Sequence, residues 1–260
     1  MQPTLDDLHS LARGAGEILR SAYGKAHQVR FKSRIDPVTD TDQRSEAYLL
    51  EQIGKKFPDD TIVAEESGQL NGQHTHRWII DPLDGTVNFS HDVPIFSVSI
   101  AYAEGNRLLL GAVYDPMRDE MFSAERGQGA YLNGERLAVS ESQELLHSLL
   151  VTGFPYDILT TPSNNLQNFI NFSLRTQGVR RLGSAAQDLC YVAAGRFDGY
   201  WEGLLKIWDL AAGALVVEEA GGMITALDGS PEYFKPPYGV IAANPFIHPQ
   251  MLELLIHPPA

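Results

Sequence analysis

One cysteine, Cys190, is all that this chain of 260 residues holds, which excludes an intramolecular disulfide and any zinc site built on several thiolates. The run Asp188-Leu189-Cys190-Tyr191-Val192-Ala193-Ala194 around it reads as a buried helix face, so the thiol is expected to be structural rather than nucleophilic. Positive charge is scarce too. Lys and Arg number 20 against 33 Asp and Glu, a net charge of −13, and no Lys/Arg run interleaves with aromatics, so no nucleic-acid partner is expected. No segment approaches the roughly 20 apolar residues of a membrane-spanning helix. The N-terminus lacks the basic start and continuous apolar run of a secretory leader, so neither a membrane nor export is expected and a cytoplasmic location follows as the default. Repeats and low-complexity tracts are missing. What is present is 43% hydrophobic and 20% charged residues, enough for a large core in one unit or two closely joined lobes. So acidic a chain, if it handles anionic substrates, needs metal ions or local dipoles to offset its own field.

The most informative stretch is Trp78-Ile79-Ile80-Asp81-Pro82-Leu83-Asp84-Gly85-Thr86. Trp78, Ile79 and Ile80 suit a buried strand, Pro82 is expected to stop it, and Gly85-Thr86 lets the backbone turn so that N–H groups point at an anion. Two acids three residues apart at such a strand end can grip a hard divalent cation that also touches phosphate oxygens. Read alone, the stretch is explained equally well as an Asp-rich turn that ends a strand.

Upstream, Thr4 and Asp7 form a capping box for an amphipathic helix with Leu5, Leu8, Leu11, Ala12, Ala15, Ile18 and Leu19 on one face. A polar loop from Phe31 to Asp42 feeds a second helix whose apolar set is Ala47, Leu49, Leu50, Ile53 and Phe57; Asp40, Thr41 and Asp42 serve either to start that helix or as site residues. The strand Thr61-Ile62-Val63-Ala64 delivers Glu65-Glu66, one of which is a ligand candidate. Downstream, residues 96–102, 107–114 and 120–124 read as an antiparallel meander, followed by a hairpin turn at Asn133-Gly134.

A second lobe is expected from near Ser140 to Leu146, dividing the chain at about 1–143 and 144–260. It opens with a strand, Leu149 to Gly153, and a polar loop, Thr160 to Asn165, that leads into a helix. Strand and helix then alternate: Val179 to Leu182, a helix from Ser184, Phe197 to Trp201, a helix from Trp208-Asp209 with Asp209 as its cap, and Met223 to Ala226. That alternation implies a sheet with helices on its faces. The small residues Gly183-Ser184-Ala185-Ala186 would let a ligand approach free N–H groups, or would serve close helix packing.

Asp81-Pro82-Leu83-Asp84-Gly85-Thr86, the earlier Val63-Ala64-Glu65-Glu66-Ser67, the loop Asp36 to Asp42, and the late Trp208-Asp209-Leu210-Ala211-Ala212-Gly213 with Glu218-Glu219-Ala220-Gly221-Gly222 together resemble the inositol monophosphatase family. The likeness covers essentially the whole chain. It implies a layered αβαβα sandwich and a magnesium-dependent, lithium-sensitive phosphomonoesterase with two or three Mg2+ per site, manganese as a substitute, and a homodimeric assembly. By position, Glu65, Asp81 and the Leu83 carbonyl match ligands of a first metal, and Asp81, Asp84 and Asp209 those of a second. Asp42 and Thr86 match a water-activating pair, with Glu65 also within reach of that water. The Gly85 and Thr86 N–H groups match phosphate contacts at a helix start, Gly183, Ser184, Ala185 and Glu202 match contacts to the alcohol, and Asp84 and Asp209 also match substrate-binding positions.

The implied reaction is hydrolysis of a small polyol or sugar phosphomonoester, with myo-inositol 1-phosphate the leading candidate; histidinol phosphate and fructose 1,6-bisphosphate are the alternatives. A nucleotide is least expected, for want of an aromatic platform beside the pocket residues. A regulatory or binding protein on the same scaffold is the reading from another class. Lys206 and the pair Arg180-Arg181 stand where a second phosphate would be read, although a lone lysine there more often faces solvent.

Overall fold

A computed structural model of the protein describes residues 2–25, 28–33, 35–70 and 75–257; Arg34, in the polar loop quoted above, lies outside them. The N-terminal half contains helix α1 (Leu5–Ala22), strands β1 (Val29–Phe31) and β2 (Pro37–Thr39), helix α2 (Asp40–Lys56), strands β3 (Thr61–Ala64), β4 (Gly68–Leu70) and β5 (His76–Asp84), and the short helix α3 (Thr86–Ser90). A meander follows: β6 (Ser97–Glu104), β7 (Arg107–Asp115), β8 (Glu120–Glu125), β9 (Gly129–Leu132) and β10 (Glu135–Arg136). Eight strands form one sheet in the order β10-β9-β8-β7-β6-β5-β3-β4, while β1 and β2 pair separately.

The C-terminal half holds β11 (Leu149–Thr152), α4 (Leu166–Ser173), β12 (Gly178–Arg180), α5 (Ala185–Ala193), β13 (Gly199–Leu205), α6 (Ile207–Glu219), β14 (Met223–Ala226), β15 (Tyr238–Ala243) and α7 (His248–Ile256). Its sheet runs β12-β11-β13-β15-β14. Both β12 and β13 are parallel to β11, as expected of strands joined through helices, and β15 is antiparallel to its two neighbours.

Side-chain alternation along the strands builds the layers. Trp78 and Ile80 of β5 point to one face of the large sheet, where they pack with Leu8, Leu19, Leu49 and Ile53 of α1 and α2. Ile79 points to the other face, into a core shared with Leu189 of α5, Leu210 and Val216 of α6, and Tyr200 and Val240 of the small sheet. On the far face of the small sheet, Leu150, Trp201 and Ile241 meet Phe172 of α4 and Met251 of α7. The result is an αβαβα sandwich in which α5 and α6 are buried between two sheets. Each fully buried Leu or Ile contributes about 1.5–3 kcal/mol.

Local expectations hold in most places and fail in three. The capping box is present, with the Thr4 N–H and hydroxyl both donating to Asp7 Oδ2 at 3.0 Å. Pro82 does not stop the strand: β5 continues to Asp84, and the ladder with β6 absorbs the proline as a register shift between Asp81 and Asp84, as an irregular position can. Ala47 is exposed, and the inner face of α2 instead carries Thr41, Asp42, Ser45 and Glu46 beside Leu49 and Ile53. Asp209 is not the cap residue of α6. Lys206 holds that position and Asp209 lies one turn in, where its Oδ2 accepts from the Lys206 N–H at 2.7 Å.

Candidate active site

Strand pairing explains why distant acids meet. β3 and β5 are parallel with Ala64 opposite Ile80, so Glu65 and Asp81 are the first residues beyond the paired ends and emerge side by side. Ligands gather at such carboxyl ends of strands. The shifted end of β5 adds Leu83 and Asp84, and α6, packed against the same sheet, brings Asp209 in its first turn. A cavity of about 610 Å³ is lined by Glu65, Asp81, Leu83, Asp84, Gly85, Thr86, Gly183, Ser184, Ala185, Glu202, Lys206 and Asp209. Asp42 does not line it and reaches it through Thr86, and of the other candidates Glu66 and Arg180 do not line it.

Asp42 and Thr86 are hydrogen-bonded: the Thr86 hydroxyl lies 2.9 Å from Asp42 Oδ1 and 3.1 Å from the Leu83 carbonyl, and the charged acceptor is the stronger one. Asp42 is fixed from behind by the Thr39 N–H at 2.9 Å. Burial pushes its carboxyl up, against the pull of the Thr39 and Thr86 hydrogen bonds. Gly85 has φ +101°, and a Cβ there would stand 3.0 Å from the Ile95 carbonyl, so only glycine makes this turn without strain.

Electrostatically the cavity is under negative pressure. Burial pushes Asp81 well above the usual carboxylate range, and the charges of Glu65, Asp84 and Asp209 add to it. Burial and Asp84 do the same to Asp209. Burial takes Glu65 up to about 7 although Lys32 opposes it, and Asp84 up to about 6 against hydrogen bonds from Ser184 and backbone N–H groups. Lys32 donates to Glu65 at 2.8 Å and also pairs with Glu66. Burial lowers the Lys32 ammonium, but the two carboxylates outweigh that and hold it above its ordinary range.

The N–H groups at the start of α5 are not free for a ligand: Asp84 Oδ2 accepts from Ser184 Oγ at 2.7 Å and from the Ala186 N–H at 2.8 Å. Glu202, which also lines the cavity, accepts from the Tyr200 hydroxyl at 2.7 Å, and burial pushes it up to about 7. Arg181 lines the cavity and Arg180 does not. Lys206 lines it and is exposed. The expectation of no aromatic platform is corrected, because Phe154, Tyr156 and Trp208 line the cavity, the first two from the loop after β11. Lys32, Asp36 and Asp188 line it as well and were not assigned to the site from the sequence. An acid directly preceding the apolar run Leu189 to Ala193 on a buried helix face was the signal for Asp188. A second cavity, of about 670 Å³, lies beyond Leu204, which borders both, and contains none of the predicted residues.

The donor set fits a hard divalent cation: every predicted ligand atom is an oxygen, and only Glu65 of the four carboxylates has an ion-pair partner among the described residues. No three His, Cys, Asp or Glu side chains among those residues are already drawn into ion-holding geometry. Glu65 is turned toward Lys32 and Asp84 toward α5, as mutually repelling carboxylates do.

An αβαβα sandwich with acids gathered at its strand ends is a fold of the sugar-phosphatase type. Residues 1–258 match the inositol monophosphatase family; the chain belongs to that family and is a phosphatase, and the family is generally metal-dependent. It is 44% identical over 262 residues to the inositol-1-monophosphatase of Synechocystis sp., covering 100% of this chain and 91% of that protein. It is 43% identical over 256 residues to the Nus factor SuhB of Pasteurella multocida, covering 97% and 96%. The solved inositol monophosphatase structure from Anabaena superposes with a TM-score of 0.90 at 42% identity, covering 98% of this chain and 96% of that one.

Proposed function

We propose that the protein hydrolyses a small polyol or sugar phosphomonoester, with myo-inositol 1-phosphate as the leading substrate and Mg2+ as the cofactor. The observation that carries this is the convergence of Glu65, Asp81, Asp84 and Asp209 on one cavity with little compensating charge. Magnesium bound by these carboxylates and the Leu83 carbonyl would supply positive charge to the phosphoryl group and acidify the attacking water. The protein's own residues do the rest. Asp42, accepting from Thr86, turns the lone pairs of the threonine oxygen toward the water and takes up its proton through that hydroxyl, or Glu65 does so directly. Water oxygen bonds to phosphorus, the bond from phosphorus to the alcohol oxygen breaks, and the departing alkoxide takes up one proton, balancing the one water gave to the base, so that free alcohol and hydrogen phosphate result. Gly183, Ser184, Ala185 and Glu202 position the departing alcohol.

The Pasteurella relative is named a Nus factor, and a factor role on the same scaffold is the second reading. The test is phosphate release from inositol 1-phosphate, histidinol phosphate, fructose 1,6-bisphosphate and adenosine bisphosphate, with and without Mg2+. Preferential Mg2+-dependent release from the inositol ester supports the first reading; none from any ester leaves the second.

A further inference from the structure

One carboxylate in the cavity has no part in the steps above. Asp188 is the fourth residue of α5, is 1% exposed, and its Oδ1 has no hydrogen-bond partner among the described residues. Its neighbours Leu189, Cys190, Val192 and Ala193 are all buried and apolar, so packing would be served better by another apolar residue. An unpaired buried acceptor lowers stability and is retained where something else uses it. Asp188 lines the same cavity as Glu202 and Arg181.

Glu202 is held firmly. The Tyr200 hydroxyl donates to its Oε2, and its carboxylate lies against Gly153, where a Cβ would stand 2.1 and 2.3 Å from the two oxygens. The cavity lining therefore includes two carboxylates: Asp188, whose side chain makes no hydrogen bond through its buried Oδ1 among the described residues, and Glu202, with one oxygen already bonded to a phenol. Burial, with the negative charge of Glu202 adding to it, holds Asp188 well above the usual carboxylate range. Two acceptors lining one cavity suit two hydroxyl donors of one alcohol. Arg181 lines the same cavity and opposes a cationic alcohol, so hydroxyls are the better match.

We propose that Asp188 is a substrate-binding residue that, with Glu202, accepts hydrogen bonds from neighbouring hydroxyls of the alcohol, so that the site selects phosphomonoesters of compact polyols over those of simple or aryl alcohols. This rests on the phosphomonoesterase reading above. The test measures kcat/KM for myo-inositol 1-phosphate and for p-nitrophenyl phosphate, which has no hydroxyl on its alcohol part, in wild type, Asp188→Asn and Asp188→Ala, all with Mg2+. The expected result is that the inositol-to-nitrophenyl ratio falls by about tenfold in Asp188→Ala, chiefly through KM. Asp188→Asn, which keeps an acceptor oxygen, should fall less. Thermal melts establish that the variants are folded, and if Asp188→Ala is not, the shape-conserving Asp188→Asn carries the comparison through its own smaller fall in ratio. An unchanged ratio, or equal losses on both substrates, overturns the proposal and leaves Asp188 a structural acid. Absence of phosphate release from both esters by the wild type would instead overturn the functional reading, and the proposal with it.

Discussion

The hydroxyl of Thr86 lies 2.9 Å from Asp42 Oδ1, a contact that ties the turn after β5 to the first turn of α2 and leaves the threonine oxygen facing the acid-lined cavity. Thr86→Val keeps the shape and removes the hydroxyl. The expected outcome is a fall in kcat of about 10²-fold or more with little change in KM, as for loss of a group that assists proton transfer. Steady-state kinetics on inositol 1-phosphate check this, and a kcat within a few-fold of wild type would assign proton uptake to Glu65.

Asp84 joins the two sheets' elements through Ser184 Oγ and the Ala186 N–H, and also contributes to the repulsion that raises Asp81 and Asp209. Asp84→Asn retains one acceptor oxygen for those donors and removes the charge. We expect the variant to lose most turnover, to melt at or above the wild-type temperature in EDTA, and to melt below it in saturating Mg2+. The reversal follows because ligand stabilises only the fold that binds it, by about 2.7 kcal/mol at 100 times Kd. A variant less stable than wild type in EDTA would make Asp84 a structural hydrogen-bond partner.

The raised carboxyls also set the sign of a pH effect on the metal-free protein. Folded-state values of about 7 for Glu65, about 6 for Asp84 and about 7 for Glu202 lie above the unfolded ones. Their stabilising contribution is therefore complete at low pH and is lost as pH rises through 6 to 7. Half-buried His9 and buried His248, both lowered by burial, oppose this only below about pH 6.5, where unfolded histidine takes up its proton. In EDTA the melting temperature should rise as pH is lowered from about 8 to about 6.5. A flat or falling profile contradicts the assignment of these acids to a site strained by its own charge.

Lys206, exposed at the cavity's edge, is the candidate reader of a second phosphate. Lys206→Ala should lower kcat/KM for fructose 1,6-bisphosphate more than for inositol 1-phosphate, by about 1.5–3 kcal/mol if a charge-assisted contact is lost. Equal effects make it a surface lysine.

How far the sequence could be read depended on whether a signal was local. Trp78, Ile79 and Ile80 marked their strand, and Thr4 and Asp7 their helix start, because alternation and capping are written in neighbouring residues. The juxtaposition of Glu65 with Asp81 was not so written, since it arises from the pairing of Ala64 with Ile80 across a parallel ladder. Pro82 was misread for a similar reason: the register shift that tolerates it belongs to β6 as much as to β5. β15 and α7 went unassigned. The first is buried on both faces and shows no alternation, and the second is nine residues long with a proline in its first turn. Within the site, the family resemblance supplied the carboxylates, while Asp188, Phe154 and Tyr156 became visible as cavity residues only when α5 and the loop after β11 were folded against β5.

The central claim is that the converging carboxylates serve metal-assisted phosphate hydrolysis, and its most direct test is release of inorganic phosphate from myo-inositol 1-phosphate with millimolar Mg2+ and again with excess EDTA. Turnover in Mg2+ that EDTA abolishes and added Mg2+ restores is the predicted result. Full activity in EDTA, or no phosphate release in Mg2+, would contradict it.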